Sequence, residues 1–107
     1  MAIHQVTIGE LMDLLPGGAI LIDVREHDEY VDGHIPSAVN IPLSTIQDNV
    51  EKFRHDLDVY LVCRSGSRSF SACEYLHDRD LINAVNVEMG TLGWVAAGGA
   101  LTQGDQP

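Results

Sequence analysis

The sequence predicts an α/β domain whose central, mostly parallel β-sheet is flanked by helices on both faces. Residues 19–24 and 59–62 are apolar runs of strand length, and the first of them has a carboxylate near its end. Such runs are typical of strands buried on both faces of a parallel sheet. Segments of helical character lie between the strand candidates, and this alternation indicates a parallel arrangement of the strands.

In the first half of the chain, the predicted elements begin with a helix that follows Thr7. Thr7 and Glu10 have the spacing of a capping box, and the Pro-Gly-Gly run at residues 16–18 should end the helix. The strand at residues 19–24 then brings Asp23 to its C-terminal end, where ligands bind in open parallel sheets. Three further elements are a helix over residues 26–32 that ends at Gly33, a strand over 38–41 and a helix over 43–53.

The second half of the chain repeats the alternation. Its predicted elements are a strand over residues 59–62 that runs directly into Cys63, a helix over 69–77, a strand over 84–87 and a helix over 92–97. We expect a single domain over residues 1–107, with its core at about residues 5–100. The polar, Gly-containing tail at residues 101–107 is expected to be loose.

The composition limits the classes of function. The chain has 107 residues, 16 acidic side chains against six basic ones, and a formal net charge of -10. Nucleic acids and anionic membranes are bound by clustered Lys and Arg, so neither is an expected partner. The N-terminus lacks a leader pattern and no apolar stretch approaches the length of a membrane span, so we expect a cytoplasmic protein.

The cysteines and histidines give no sign of a metal or disulfide framework. The two cysteines, Cys63 and Cys73, match neither a zinc site nor a redox Cys-x-x-Cys pair, which favours a reduced compartment. The five histidines are scattered without ligand spacing, so we expect neither a metal nor a cofactor. Cys73 shares a helical apolar stripe with Phe70 and Leu76 and is therefore a predicted core residue.

The loop at residues 63–69, Cys-Arg-Ser-Gly-Ser-Arg-Ser, is the strongest candidate for a functional site. Its backbone N–H groups and the start of the following helix can bind an anion, and Gly66 permits the turn. Arg64 and Arg68 add positive charge. Because such surroundings lower the pKa of a cysteine, we expect Cys63 to be a partly exposed thiolate nucleophile. The simpler alternative is a buried structural cysteine followed by a solvated turn.

Several ordered motifs together resemble the single-domain rhodanese family. They are Asp-Val-Arg-Glu at residues 23–26 with Glu29 and Tyr30, Gly-His-Ile-Pro-Ser-Ala-Val-Asn-Ile-Pro at 33–42, the loop at 63–69 and Gly-Thr-Leu-Gly-Trp at 90–94. The resemblance covers nearly the whole chain and implies a thiosulfate:cyanide sulfurtransferase. It implies that Cys63 attacks the outer sulfur of thiosulfate, that sulfite leaves, and that the cysteine persulfide passes its sulfur to cyanide or a thiol.

The resemblance also implies the other residues of the site. The loop, above all its backbone and Arg68, would bind the anion, and Asp23 and Arg25 would support it with charge and hydrogen bonds. A surface ion pair at a helix start is an equally weighted alternative for Asp23 and Arg25. The family commonly has paired glycines where this chain has Met89 and Gly90, which implies a reshaped pocket wall. The substrate-binding set is Arg64, Ser65, Gly66, Ser67, Arg68 and Ser69.

Two other functions stay open at this point. Cysteine phosphatases and arsenate reductases need a loop with one more residue than the four that separate Cys63 from Arg68 here. The shorter loop favours a sulfur-bearing ligand close to the thiolate. Alternatively, the chain is a sulfur-relay or binding module that docks a specific acceptor protein, and its acidic surface would then select a basic partner.

Overall fold

The computed structural model describes residues 2–107, which form one five-stranded sheet. The strands are β1 (Gln5–Val6), β2 (Ile20–Asp23), β3 (Val39–Asn40), β4 (Val59–Val62) and β5 (Ala84–Val87). Their order across the sheet is β1-β5-β4-β2-β3, and all pairings between these strands are parallel. The predicted parallel sheet is therefore confirmed.

Helices cover both faces of this sheet. They are α1 (Ile8–Leu14), α2 (His27–Asp32), α3 (Ser67–His77) and α4 (Gly90–Ala96), with short 3₁₀ helices at Leu15–Gly17, Leu43–Asp48 and Val50–Phe53. The last two 3₁₀ helices and α3 pack on one face, and α1, α2 and α4 pack on the other. Within residues 2–107, no helix has the length and apolarity needed to cross a lipid bilayer.

The central strands explain why their sequences are continuously apolar. Ile22 and Leu61 point into the core on the α3 face, whereas Leu21 and Val62 point into the core on the opposite face. Successive side chains of a strand alternate between the two faces, so a strand covered on both sides has no solvent-facing position. Cys73 is fully buried in the core on the α3 face, as predicted from its apolar stripe.

Two element predictions have different outcomes. The capping box that begins α1 is confirmed, since the Thr7 N–H donates to Glu10 Oε1 at 3.0 Å and the Glu10 N–H donates to Thr7 Oγ1 at 3.1 Å. The single helix predicted over residues 43–53 is wrong, because two 3₁₀ helices meet at Asn49 with φ −126°. The Asn49 side chain donates to the Thr45 carbonyl at 2.9 Å, and such polar side-chain bonds compete with regular helix formation.

The C-terminal tail also differs from the prediction, because it is hydrogen-bonded and not loose. The backbones of His34 and Thr102 exchange two hydrogen bonds of 2.9 and 2.8 Å. The N–H of Gly104 donates to the Val31 carbonyl at 2.9 Å, and the buried His34 ring lies 2.9 Å from the Gln106 carbonyl. Backbone pairing does not depend on side-chain type, so the composition of the tail gave no signal of it.

Candidate active site

Cys63 lies at the C-terminal edge of the sheet, directly after β4. Asp23 at the end of β2 pairs with Val62, so both strands bring their last residues to the same edge. This edge is where open parallel sheets bind ligands. Cys63 is only 1% exposed, so the expected partial exposure is wrong. The loop that follows β4 folds back over the sulfur.

The Cys63 sulfur accepts hydrogen bonds from this loop. The Gly66 N–H donates to Sγ at 3.1 Å, and the Ser69 hydroxyl oxygen lies 3.3 Å from Sγ. Gly66 has φ 106°, a left-handed conformation that L-residues rarely adopt, and it directly precedes Ser67, the first residue of α3. The positive end of the α3 dipole therefore adjoins the sulfur, together with free N–H donors.

Two opposing effects act on the pKa of Cys63. Burial raises the pKa of the thiol, but hydrogen bonds from the Ser69 hydroxyl and from the N–H groups of Ser69, Gly66 and Ser65 lower it. The net result is a pKa below the ordinary value for cysteine. The donors are the backbone N–H groups that the sequence predicted and the Ser69 hydroxyl, and no guanidinium is among them.

A buried polar network that sequence reasoning missed lies behind Ser69. The Ser69 hydroxyl is 2.5 Å from Oδ1 of Asn86 on β5. Asn86 Nδ2 donates to Gln5 Oε1 at 2.8 Å and to the Gly66 carbonyl at 3.2 Å. An Asn in the middle of a buried strand is a visible signal, because a buried amide requires hydrogen-bond partners.

Arg68 is held by a carboxylate of α2. Its Nη1 and Nη2 donate to Glu29 Oε1 and Oε2 at 2.8 and 2.9 Å, a bidentate pair. The hydrogen bond from Arg68 holds the pKa of Glu29 at about 2. Arg68, which the resemblance assigned to anion binding, is therefore already paired with Glu29.

Arg64, in contrast, has no salt bridge within residues 2–107 and is exposed. It lines a cleft of about 500 Å³ next to the loop, together with Arg25 and Glu29. Its apolar lining residues include Leu92 and Val95 of α4. Such a volume lies within the range of small-molecule sites. Two other loop residues, Ser65 and Ser67, are exposed.

Asp23 and Arg25 form a buried ion pair, so the alternative of a surface pair is wrong. Their side chains are 0% and 7% exposed, and Arg25 Nη2 lies 2.8 Å from Asp23 Oδ2. The same Nη2 donates to the Gly33 carbonyl at 2.8 Å, and the Arg25 N–H donates to Asp23 Oδ1 at 3.0 Å. The pair fixes the chain after β2 to the turn that follows α2.

The start of α4 packs directly on the carbonyl side of the Cys63 loop. The Thr91 N–H and hydroxyl donate to the Cys63 carbonyl at 2.9 and 3.0 Å. Gly90 has φ 54°, and a Cβ there would lie 2.5 Å from the same oxygen. Met89 adopts φ 64° and is 66% exposed. Met89 is not among the residues that line the cleft.

Outside the Cys63 loop, the second cysteine and the metal-ligating side-chain types are the groups that could form a further site in the described residues. Burial raises the pKa of Cys73 to about 12, so this thiol stays protonated. Within residues 2–107, no group of three or more His, Cys, Asp or Glu side chains could hold a metal ion.

Comparison with protein families gives a match to the model for the rhodanese-like domain over residues 7–97. A putative sulfurtransferase of Bacillus subtilis, YtwF, is 43% identical over 74 residues, which are 69% of this chain and 71% of that protein. A sulfurtransferase of Allochromatium vinosum is 34% identical over 79 residues, 74% of each chain. A thiosulfate sulfurtransferase of Pseudomonas savastanoi, GlpE, is 33% identical over the same share of both chains.

Solved structures give the same result. A rhodanese-related protein from Thermoplasma volcanium superposes with a TM-score of 0.84 at 27% identity, covering 92% of this chain and 97% of its own. A rhodanese-like domain protein from Staphylococcus aureus gives a TM-score of 0.79 at 38% identity, covering 86% and 91%.

Proposed function

The chain belongs to the rhodanese-like domain family, and from that premise we propose that it transfers sulfur from thiosulfate to cyanide or a thiol through a persulfide on Cys63. The relatives named above carry the name sulfurtransferase, which supports the general class of reaction. The observation that carries the proposal is the hydrogen-bonded sulfur of Cys63 with its lowered pKa. A thiolate is the nucleophile in sulfur exchange, so this cysteine is poised for the first step.

The reaction has two balanced halves. In the first, the Cys63 thiolate attacks the outer sulfur of thiosulfate, a new S–S bond forms, and the electron pair of the broken bond leaves with sulfite. In the second, cyanide or a thiolate attacks the outer sulfur of the persulfide. The Cys63 thiolate then leaves, and thiocyanate or a new persulfide is released. Loop N–H groups stabilise the negative charge at the cysteine sulfur in both halves.

Thiosulfate is expected to bind through the loop backbone and Arg64. Arg64 is exposed at the cleft, whereas Arg68 is already engaged by Glu29. A charge-assisted contact to an anion contributes ~1.5–3 kcal/mol, so Arg64→Ala should raise the KM for thiosulfate about tenfold or more. The matched variant Arg68→Ala should raise it less. A larger effect of Arg68→Ala would mean that the pair with Glu29 opens and Arg68 binds the donor.

Mass spectrometry after incubation with thiosulfate tests the persulfide directly. The intact protein should gain the mass of one sulfur atom, and cyanide should remove it. Cys63→Ser should abolish the adduct, whereas Cys73→Ser should not, because the Cys73 thiol is fully buried and protonated. An adduct on Cys73 would refute the assignment.

A phosphatase assay tests the rival reaction. Turnover of an aryl phosphate without any turnover of thiosulfate would exclude the sulfurtransferase proposal. The geometry gives no support to phosphate chemistry, since the loop has one residue too few and Arg68 is paired.

A further inference from the structure

Asn86 is a buried polar side chain that the proposed reaction does not use. It is 1% exposed and lies on β5 between Val85 and Val87, which belong to the apolar core. A buried amide is tolerated only when it is hydrogen-bonded, and both ends of this amide have partners. Nδ2 donates to Gln5 Oε1, and Oδ1 faces the Ser69 hydroxyl.

The orientation of the Asn86 amide is fixed by its surroundings. Nδ2 lies 3.2 Å from the carbonyl oxygen of Gly66, which can only accept a hydrogen bond. The opposite orientation would place the Asn86 oxygen against this carbonyl. Oδ1 is therefore the atom that faces Ser69, and an amide oxygen can only accept a hydrogen bond from the Ser69 hydroxyl.

The Ser69 hydroxyl has one proton for several acceptors. Asn86 Oδ1 lies 2.5 Å away, and the Cys63 sulfur lies 3.3 Å away. The Gly66 carbonyl oxygen also lies 3.3 Å away, and the proton can be donated to only one of these acceptors at a time. When Ser69 donates its proton to Asn86 Oδ1, the Ser69 oxygen can still accept a hydrogen bond from the protonated thiol of Cys63. When the proton is donated to the thiolate, Asn86 Oδ1 loses its donor inside the core.

We propose that Asn86 is a positioning residue that limits the stability of the Cys63 thiolate by competing with it for the Ser69 proton. The proposal rests on the proposed role of Cys63 as nucleophile. When the thiol ionises, its proton leaves to solvent and the Ser69 O–H turns from Asn86 to the sulfur; the reverse turn accompanies protonation. A thiolate that is stabilised too well is a weak nucleophile, so such a competitor keeps the sulfur reactive.

The charged side chains around the loop are the same in the parent protein and in variants at Asn86. They are the ion pairs Asp23–Arg25 and Glu29–Arg68, the exposed Arg64, and the exposed Glu88, whose backbone lies against Gly66. Substitutions at Asn86 remove none of them, so changes in the titration of Cys63 can be assigned to the amide.

Two variants at this position should act in opposite directions. Asn86→Leu removes the nearest competing acceptor, so Ser69 donates to the sulfur for a larger share of the time and the pKa of Cys63 should fall. Asn86→Asp supplies a stronger acceptor and a negative charge, so the pKa should rise. A net hydrogen bond of ordinary strength changes the thiolate fraction about three- to tenfold. Because nucleophilicity falls with pKa, the plateau rate should change about two- to threefold in the opposite sense.

The pH profile of Cys63 alkylation by iodoacetamide measures both effects and needs no thiosulfate, so its outcome is separate from that of the proposed function. For Asn86→Leu the low-pH rate should rise about two- to fourfold while the plateau falls. In a Ser69→Ala background, Asn86→Leu should have no effect. Ser71→Ala, at an exposed position on the same helix, is the control and should leave the profile unchanged.

Two results would overturn the inference. One is a shift of the profile in the same direction for Asn86→Leu and Asn86→Asp, since a purely structural role predicts that both damage the loop alike. The other is an unchanged effect of Asn86→Leu when Ser69 is absent. If Asn86→Leu does not fold, the direction of the Asn86→Asp shift and its reduction in the Ser69→Ala background still decide the matter.

Discussion

Gly90→Ala should strongly destabilise the protein because α4 begins in contact with the Cys63 loop. An alanine at φ 54° costs ~1 kcal/mol in backbone strain. Its Cβ would lie 2.5 Å from the carbonyl oxygen of Cys63 and 2.6 Å from that of Arg64, so α4 must move away. That movement weakens three hydrogen bonds of 2.9–3.0 Å that Thr91 and Leu92 donate to these oxygens. At ~0.5–1.5 kcal/mol each, the total loss is ~3–5 kcal/mol.

Urea unfolding followed by the fluorescence of Trp94, the single tryptophan, measures this loss. Gly98→Ala is the matched control, because Gly98 also has a positive φ of 90° but nothing within 4 Å of an added Cβ. The control should lose only the ~1 kcal/mol of backbone strain. Equal losses in the two variants would refute the reasoning, since contact between α4 and the loop would then contribute nothing.

Three further outcomes are expected. Arg25→Met should lower the free energy of unfolding by ~3–5 kcal/mol in a urea titration, because it leaves the carboxylate of Asp23 buried without its partner. A loss below ~1 kcal/mol would mean that the pair contributes no more than an exposed one. Glu29 has a pKa of about 2, below its ordinary 4.5, so its pair with Arg68 contributes above pH 4.5 and is lost as the pH falls towards 2. Both side chains are about one-third exposed, so Glu29→Gln should be less stable than the parent by only ~0.5–1 kcal/mol at neutral pH, and the two unfolding curves should converge in acid. Met89→Gly should change the free energy of unfolding by less than ~0.5 kcal/mol in the same assay, because relief of left-handed strain offsets the greater chain entropy of glycine. A larger loss would show that the exposed Met89 side chain makes stabilising contacts.

The sequence was informative about the fold wherever one side-chain pattern decided the local structure. The runs at 59–62 and 84–87 are observed as strands with those bounds, and Thr7 with Glu10 begins α1 as predicted. The two-residue strand β1 was missed because two residues are too short for a periodic signal. The tail was misjudged because its bonds to Val31 and His34 are made by backbone groups or span some seventy residues.

Less of the site than of the fold could be predicted from the sequence, because only Cys63 and the loop that follows it lie in one stretch of sequence. Cys63, Gly66 and Ser69 are close in the chain, and the turn brings them together around one sulfur. Glu29 and Asn86 lie 39 and 17 residues away from their partners, and nothing in the local pattern pairs them. The resemblance assigned the anion to Arg68, and only the fold reveals that this guanidinium is already paired with the carboxylate of Glu29.

The burial of Cys63 bears on which sulfur atom an acceptor can attack. A thiol that attacks the inner sulfur of a persulfide forms a mixed disulfide with the enzyme and releases sulfide, so the transferable sulfur is lost. In the structure, Cys63 is 1% exposed and its sulfur is enclosed by the Gly66 N–H and the Ser69 hydroxyl. The outer sulfur of a persulfide would lie about 2 Å further out, one S–S bond length from Sγ. Enclosure of Sγ therefore disfavours attack at the inner atom and leaves the outer atom as the accessible electrophile, which the proposed transfer requires.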